Sequence, residues 1–161
     1  MGFFSTFLLK IKNLFYENIP VKFDFSKRYM LSNDDINQHH RYLFDAVNKF
    51  YYYLKTAPNT KKLDKLNINL YNYIIFHFDY EHKLMLHYNF DKKYPKYLSS
   101  HIKAHNAFWV KMSEFNKTKD YESMLQFLSN WLYIHIDKVD REMNQLIVEC
   151  EKEYRKSEIN K

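Results

Sequence analysis

Histidine and carboxylate side chains recur at helical spacing in four separate segments of this chain. The set comprises five histidines and two acids: His40, His77, Glu81, His101, His105, His135 and Asp140. The second and third segments each hold two of these residues four positions apart, which places both on one face of a helix. Imidazole and carboxylate groups bind transition metals, and a carboxylate can bridge two ions. The pattern therefore indicates a centre suited to a pair of iron ions, with manganese and zinc as alternatives on ligand type alone.

The elements that carry these side chains are predicted to be helices. Only one glycine and three prolines interrupt a sequence of 161 residues that is 46% hydrophobic. Apolar residues repeat at steps of three and four, which predicts helices at about 33–55, 62–88, 98–116 and 121–156. Ser32 with Asp35 indicates a capping box, Ser99 or Ser100 is expected to begin the third helix, and Asp120 to cap the fourth. We expect an all-α protein whose four helices pack as a bundle.

The apolar stripes also indicate which histidines point inward. His40 shares a stripe with Leu43, whereas His39 does not. His82 and His87 also fall off the stripe of their helix, so these three extra histidines are expected at the surface. A single histidine on an apolar face is usually a core residue with a hydrogen bond. Burying seven polar groups together would cost several kcal/mol for each uncompensated charge, in a domain whose net stability is ~5–15 kcal/mol. A bound cation would turn that cost into binding energy.

Asp140 fits the helical spacing less well than the other six residues. It follows His135 by five positions, which is a rotation of about 140° around a regular helix. A π-bulge or a local bend would turn the side chain inward, and such features are frequent at functional sites. Asp137 is the competing candidate, but it lies two residues from His135 and therefore on nearly the opposite face. We expect Asp140 to be the ligand.

Residues 1–20 are expected to form an extension ahead of a bundle domain at 21–161. Apolar side chains on one face of residues 3–15 predict an amphipathic helix that contacts the bundle, a protein partner or, peripherally, a membrane. Pro20 ends this segment, and residues 21–31 are predicted to form an extended arm. No apolar run reaches the ~20 residues that a membrane span requires.

Charge and cysteine content limit the partners and the compartment. The formal charge is +6, but lysine and arginine are scattered among acids, which argues against a nucleic-acid partner. Cys150 is the only cysteine, so no intrachain disulfide can form. This favours a reducing, cytoplasmic environment.

Taken in order, the pattern of H, HxxxE, HxxxH and HxxxxD within residues 36–140 resembles the hemerythrins, and in particular their single-domain bacterial members. The resemblance implies an up-down-up-down four-helix bundle that holds two non-haem iron ions joined by an oxo or hydroxo bridge. The implied ligands are His101, His105 and His135 for one iron, His40 and His77 for the other, and Glu81 and Asp140 as bridges between them. Leu132, one turn before His135, matches a residue that lines the oxygen pocket. The second iron would keep an open position, at which hemerythrins bind dioxygen reversibly.

The resemblance implies an oxygen-binding protein and not an enzyme, serving storage, delivery or protection of oxygen-sensitive enzymes. One alternative is a di-iron redox enzyme acting on peroxide or nitric oxide, which Tyr88 would favour if it reached the metals. Another is a sensor module for oxygen or iron. The chain departs from the family at Asn37, where aspartate is common, at Phe25, where tryptophan is usual, and at His82, where a second acid often follows the bridging glutamate.

Overall fold

The computed structural model describes residues 21–159, and within that range the secondary structure is helical with no strand. A 3-10 turn at Lys27–Tyr29 precedes the helices, which are α1 (Asp34–Thr56), α2 (Thr60–His87), α3 (Phe90–Lys93), α4 (Pro95–Thr118), α5 (Tyr121–Ile134) and α6 (Arg141–Ile159). A π-helical turn, His135–Asp140, joins α5 directly to α6. The predicted all-α fold is confirmed.

Four long rods form the bundle: α1, α2, α4, and α5 continued by α6. Helix α1 packs on α2 and α5, and α4 packs on the same two helices, so the rods close into a ring. Rods that follow one another along the chain are neighbours in the ring, and the short connections between them make them antiparallel. The bundle is therefore of the up-down-up-down type that the sequence predicted.

The helix starts are partly as predicted. Asp120 caps α5, because its Oδ1 accepts a hydrogen bond from the Ser123 backbone N–H at 3.1 Å. Helix α1, however, is capped by Asn33, whose Oδ1 accepts from the Ile36 N–H, and not by Ser32. The expected start of α4 at Ser99 or Ser100 is also wrong. The helix begins at Pro95, which suits the first turn because its missing N–H has no partner there in any helix.

The buried core has two apolar parts with the polar layer between them. The larger part includes Leu43, Phe78 and Phe108, and the smaller includes Ile36, Met85 and Met143. Along each rod, the histidines and acids predicted to bind metal lie at the junction of the two parts. These histidines and acids therefore meet at mid-depth in the bundle.

Residues 21–31 form the arm that packs against the bundle. The Asn48 side chain accepts from the Lys22 and Phe23 N–H groups at 2.8 Å and donates to the Phe23 carbonyl at 2.7 Å. Asn37 binds the Leu31 N–H and carbonyl in the same way, both at 2.7 Å. Asn37 therefore anchors the arm. The sequence predicted an extended arm. The 3-10 turn shows that the arm is extended only in part.

Two predictions concern parts of the chain that bear on membranes. The amphipathic helix expected at residues 3–15, and the whole of residues 1–20, lie outside the described residues. Within residues 21–159, none of the helices has the length and apolar content needed to cross a membrane.

Candidate metal centre

The seven side chains singled out by the sequence meet in one buried layer. None of them is more than 6% exposed. They fall into two groups whose ligand atoms lie within 4.8 Å of one another: Glu81, His101, His105 and His135 in the first, and His40, His77, Glu81 and Asp140 in the second. We refer to these as the three-histidine group and the two-histidine group. Glu81 belongs to both groups, which makes it the shared residue of the layer.

Each of the five imidazoles turns its Nε2 atom toward the centre of the layer. In the three-histidine group, His105 Nε2 lies 3.1 Å from His101 Nε2 and 3.0 Å from His135 Nε2. Three neutral imidazole nitrogens this close cannot all be satisfied by one another, because each pair needs a proton on one partner. A cation between them would accept all three lone pairs.

Each of the two carboxylates directs one oxygen to the histidines of one group and its other oxygen to the histidines of the other group. Glu81 Oε1 lies 3.5 Å from His77 Nε2, while Oε2 lies 3.4 Å from both His101 and His105 Nε2. Asp140 Oδ2 lies 3.2 Å from His40 Nε2. Its Oδ1 lies on the other side, 3.1 Å from His135 Nε2. This two-sided arrangement is what a carboxylate needs to bridge a pair of metal ions.

The π-helical turn explains how Asp140 reaches the layer. A π-helix holds about one more residue in each turn than an α-helix, so side chains five positions apart come to the same side. His135 and Asp140 are the first and last residues of this turn, and both are buried. Of the two irregularities expected as alternatives, a π-bulge or a local bend, the structure has the π-bulge. Asp137 lies outside the layer and pairs with Arg28 at 3.1 Å and Arg141 at 3.3 Å.

Several buried polar atoms in the layer lack a hydrogen-bond partner among the described residues. They are Glu81 Oε1, both oxygens of Asp140, both ring nitrogens of His40, and His77 Nδ1. Asp140 and His40 are close enough to interact, but not in a direction that makes a hydrogen bond. A buried polar group without a partner costs about 1–3 kcal/mol, and more if it is charged. The residues therefore fit a metal cluster, which would bind the carboxylate oxygens and His40 Nε2 together.

The electrostatics of the layer also suit metal binding. Burial lowers the pKa of His101 to about 4 and holds the pKa of His77 well below its usual value, so both imidazoles are neutral at pH 7. Neutral imidazole is the form that binds a metal. Burial and the nearby Asp140 raise the pKa of Glu81 well above its usual value. Burial acts to raise the pKa of Asp140 too, but His135 and His40 outweigh it and hold that pKa well below the usual range.

A model of the family described as hemerythrin HHE cation binding domain matches residues 31–147. The chain belongs to the hemerythrin family. It is 31% identical over 125 residues to the bacteriohemerythrin of Clostridium acetobutylicum, covering 74% of this chain and 97% of that protein. Hemerythrin-like proteins of Naegleria gruberi and Naegleria fowleri are each 25% identical over 122 residues, or 76% of this chain and 91% of theirs. The bundle is thus a di-iron binding domain, and its buried histidine and carboxylate groups suit that centre.

Aromatic rings hold two of the histidines in this hemerythrin. Phe78 stacks on His105 with a centroid distance of 3.5 Å, and Trp131 stacks on His135 at 4.0 Å. Stacking of this kind fixes the plane of an imidazole and thereby the direction of its Nε2 lone pair. Both aromatic residues lie one turn or less from a ligand candidate in the sequence.

His39 is buried, contrary to the expectation of a surface position, and only 7% of it is exposed. The rings of Phe76 and Tyr80 on α2 cover it, with centroids at 4.9 and 4.7 Å. The apolar stripe of α1 faces the bundle axis, whereas His39 faces the α1–α2 interface, where large rings exclude water. Burial lowers its pKa to about 4. His82 and His87 are exposed, as expected.

Two further sequence predictions concern the surroundings of the centre. Leu132 is buried in the larger apolar part of the core, one turn before His135. The Tyr88 hydroxyl donates to Glu151 Oε1 at 2.9 Å, so it is directed to α6 and not to the ligand layer. The condition under which Tyr88 would have favoured an enzyme is therefore not met.

Proposed function

We propose that this hemerythrin binds dioxygen reversibly at one of its two irons. The observation that carries the proposal is the unequal sharing of nitrogen donors between the two groups. Because Glu81 and Asp140 each offer an oxygen to both sides, one ion would receive three nitrogens and two oxygens from the chain. The other would receive two nitrogens and two oxygens. The ion with fewer protein donors would keep a position for an outside ligand.

The ligand roles follow from the same geometry. We assign His101, His105 and His135 to the filled iron, His40 and His77 to the open iron, and Glu81 and Asp140 to both. When bound, the iron pair supplies the electrons and the coordination position that dioxygen needs. The task of the side chains is to hold the ions in place and to control what else can reach them.

Apolar side chains around the centre favour reversible binding of dioxygen over oxidation of the irons. Leu132 is 3% exposed. The Phe25 ring lies edge-on to His40 at 6.0 Å and packs on Phe44 at 5.6 Å. We infer that Leu132 lines the oxygen pocket and that these rings cover the His40 side. An apolar wall slows entry of water and delivery of protons, which favours release of intact dioxygen over loss of the reduced state.

The experiment that tests this function is an oxygenation cycle followed by absorption. Reduced, iron-loaded protein is recorded under argon, after addition of oxygen, and after an argon purge, with chelator-stripped protein as the control. A carrier gives a new spectrum that returns to the first one over repeated cycles. A spectrum that fails to return, together with continued consumption of oxygen or peroxide, would replace the proposal with a di-iron redox enzyme.

We also propose that residues 21–161 form the functional domain and that residues 1–20 are a separate extension. The arm is fixed to α1 from Lys22 onward, and the family match begins at residue 31. The free thiol of Cys150 is buried, which suits the reducing cytoplasm where we place the protein. We assign its role there to storage or delivery of oxygen, or to protection of oxygen-sensitive enzymes.

A further inference from the structure

Tyr97 makes a pair of hydrogen bonds that neither the ligand pattern nor the family resemblance indicated. It lies on α4, one turn before His101, and its hydroxyl is 2.9 Å from His101 Nδ1. The same hydroxyl donates to the backbone carbonyl of Val139 at 2.6 Å. A carbonyl oxygen can only accept, so the single phenolic proton is committed to Val139. The Tyr97 oxygen must then accept from His101, which requires a proton on Nδ1.

This arrangement selects one tautomer of His101. With the proton on Nδ1, the lone pair is on Nε2, the atom that faces the centre of the ligand layer. His101 Nε2 lies 3.1 Å from His105 Nε2 and 3.4 Å from Glu81 Oε2. The tautomer set by Tyr97 is therefore the one that can bind a metal in the three-histidine group. Partners of this kind raise the basicity of a ligand histidine and fix its ring.

The second hydrogen bond connects His101 to another element of the site. Val139 lies in the π-helical turn, directly before Asp140. Tyr97 therefore joins the ring of a ligand on α4 to the backbone segment that brings His135 and Asp140 into the layer. In the two-histidine group, by contrast, the Nδ1 atoms of His40 and His77 are buried without a hydrogen-bond partner among the described residues.

We propose that Tyr97 is a positioning residue for the three-histidine iron, holding His101 in its metal-binding tautomer and tying it to the π-helical turn. The proposal rests on the assignment of His101 as an iron ligand under the proposed function. Loss of a partner to a ligand histidine typically weakens metal binding about 10–100-fold. Because the contact serves one group only, the loss is expected at one iron and not at both.

Tyr97→Phe is the direct test, because it removes the hydroxyl and keeps the ring, which also packs on Phe90 at 5.9 Å. Tyr94→Phe is the matched control. It removes a phenolic hydroxyl at the start of the same helix, where the group meets Glu149 at the surface. Release of iron from the reduced, iron-loaded proteins to a competing chelator is followed, and the two iron environments are resolved by Mössbauer spectroscopy with iron-57.

In Tyr97→Phe we expect one of the two irons to be released about 10–100-fold more readily and its Mössbauer signal alone to change. Tyr94→Phe should match wild type in both respects. In proton spectra of the iron-loaded wild type, one ligand imidazole N–H should exchange with deuterium more slowly than the rest. That measurement needs no variant, so it decides the matter even if Tyr97→Phe folds poorly. Equal exchange of all ligand N–H groups would overturn the proposal.

His101→Ala separates failure of this proposal from failure of the ligand assignment. If that variant keeps both irons and cycles with oxygen as wild type does, the assignment of His101 is wrong and the Tyr97 proposal is overturned with it. If His101→Ala loses iron while Tyr97→Phe behaves like Tyr94→Phe, the ligand assignment stands and only the positioning role of Tyr97 is refuted.

Discussion

Removal of iron is expected to make the folding of this protein strongly dependent on pH. Burial lowers the pKa to about 4 for His39 and His101, to about 2 for His105, and well below the usual value for His77. In the unfolded chain these imidazoles titrate near their ordinary value of about 6.5. Unfolding therefore takes up protons below that pH. The stability contributed by the neutral imidazoles is fully present above about pH 6.5. It is lost as the pH falls toward the pKa values of these histidines in the folded protein.

The magnitude follows from the difference between the two states. Between pH 7 and pH 5, each histidine that stays neutral in the fold lowers the free energy of unfolding by about 2 kcal/mol. Glu81 acts in the opposite direction, since its raised pKa lets the fold keep a proton that the unfolded chain releases. Acidification over this interval therefore returns about 2–3 kcal/mol through Glu81. Asp140, with a lowered pKa, is ionised in both states.

Four histidines against one glutamate leave a net loss of about 5 kcal/mol, which approaches the whole stability of an ordinary domain. The assay is urea unfolding followed by circular dichroism, at pH 7 and pH 5, on chelator-stripped and iron-loaded protein. The stripped protein should lose most of its stability at pH 5. Iron-loaded protein should resist acid further, because the metal competes with protons for the Nε2 atoms. Equal stability of the stripped protein at both pH values would refute the argument that burial keeps these imidazoles neutral in the folded protein.

The remaining predictions concern iron content and oxygen binding. Wild type should hold two irons per chain, as measured by metal analysis. By the same measurement, Glu81→Ala should lose both irons and His77→Ala chiefly one. A single metal ion in wild type would contradict the bridging geometry. His40→Ala should abolish reversible oxygenation. The control is His82→Ala, because His82 is exposed whereas the neighbouring His39 is buried and its replacement would disturb packing. If His40→Ala still binds oxygen reversibly, His40 is not a ligand. Leu132→Asn should keep both irons but shorten the lifetime of the oxygenated state severalfold, because the polar side chain admits water. The measurement is the rate of autoxidation in air at matched iron content. Equal lifetimes in the two proteins would show that Leu132 does not line the oxygen pocket.

The helices and the positions of the ligand candidates could be predicted because both depend on periodic spacing. His40, His101 and Glu81 each share a stripe with core residues, and the structure buries all three. Helix starts depend on the competition among adjacent polar residues, so the choice of Asn33 over Ser32 was not decided by residue type. Ser32 instead donates to Asn144 Oδ1 from α6, a contact 112 positions away in the chain.

Contacts between helices account for what the sequence could not predict. His39 lies off the stripe of α1, and no property of α1 alone indicates that Phe76 and Tyr80 cover it from α2. The role of Tyr97 is similar. Its spacing from His101 places both residues on one face of α4. Its partner Val139, however, is 42 residues away, and nothing in the sequence distinguishes Tyr97 from the other tyrosines among the 15 in the chain.

The π-helical turn shows how one irregular element can serve both packing and ligation. Regular α-helical spacing after His135 would bury Val139, Met143 and Leu146. The structure instead buries Asp140 and Ile147, together with Met143, and leaves Val139 and Leu146 half-buried. The extra residue of the π turn shifts the inward face by one position, so the rod presents His135 at the start of the turn and Asp140, the proposed bridging carboxylate, at its end. The turn is also tied to α4, because the Tyr97 hydroxyl donates to the Val139 carbonyl directly before Asp140.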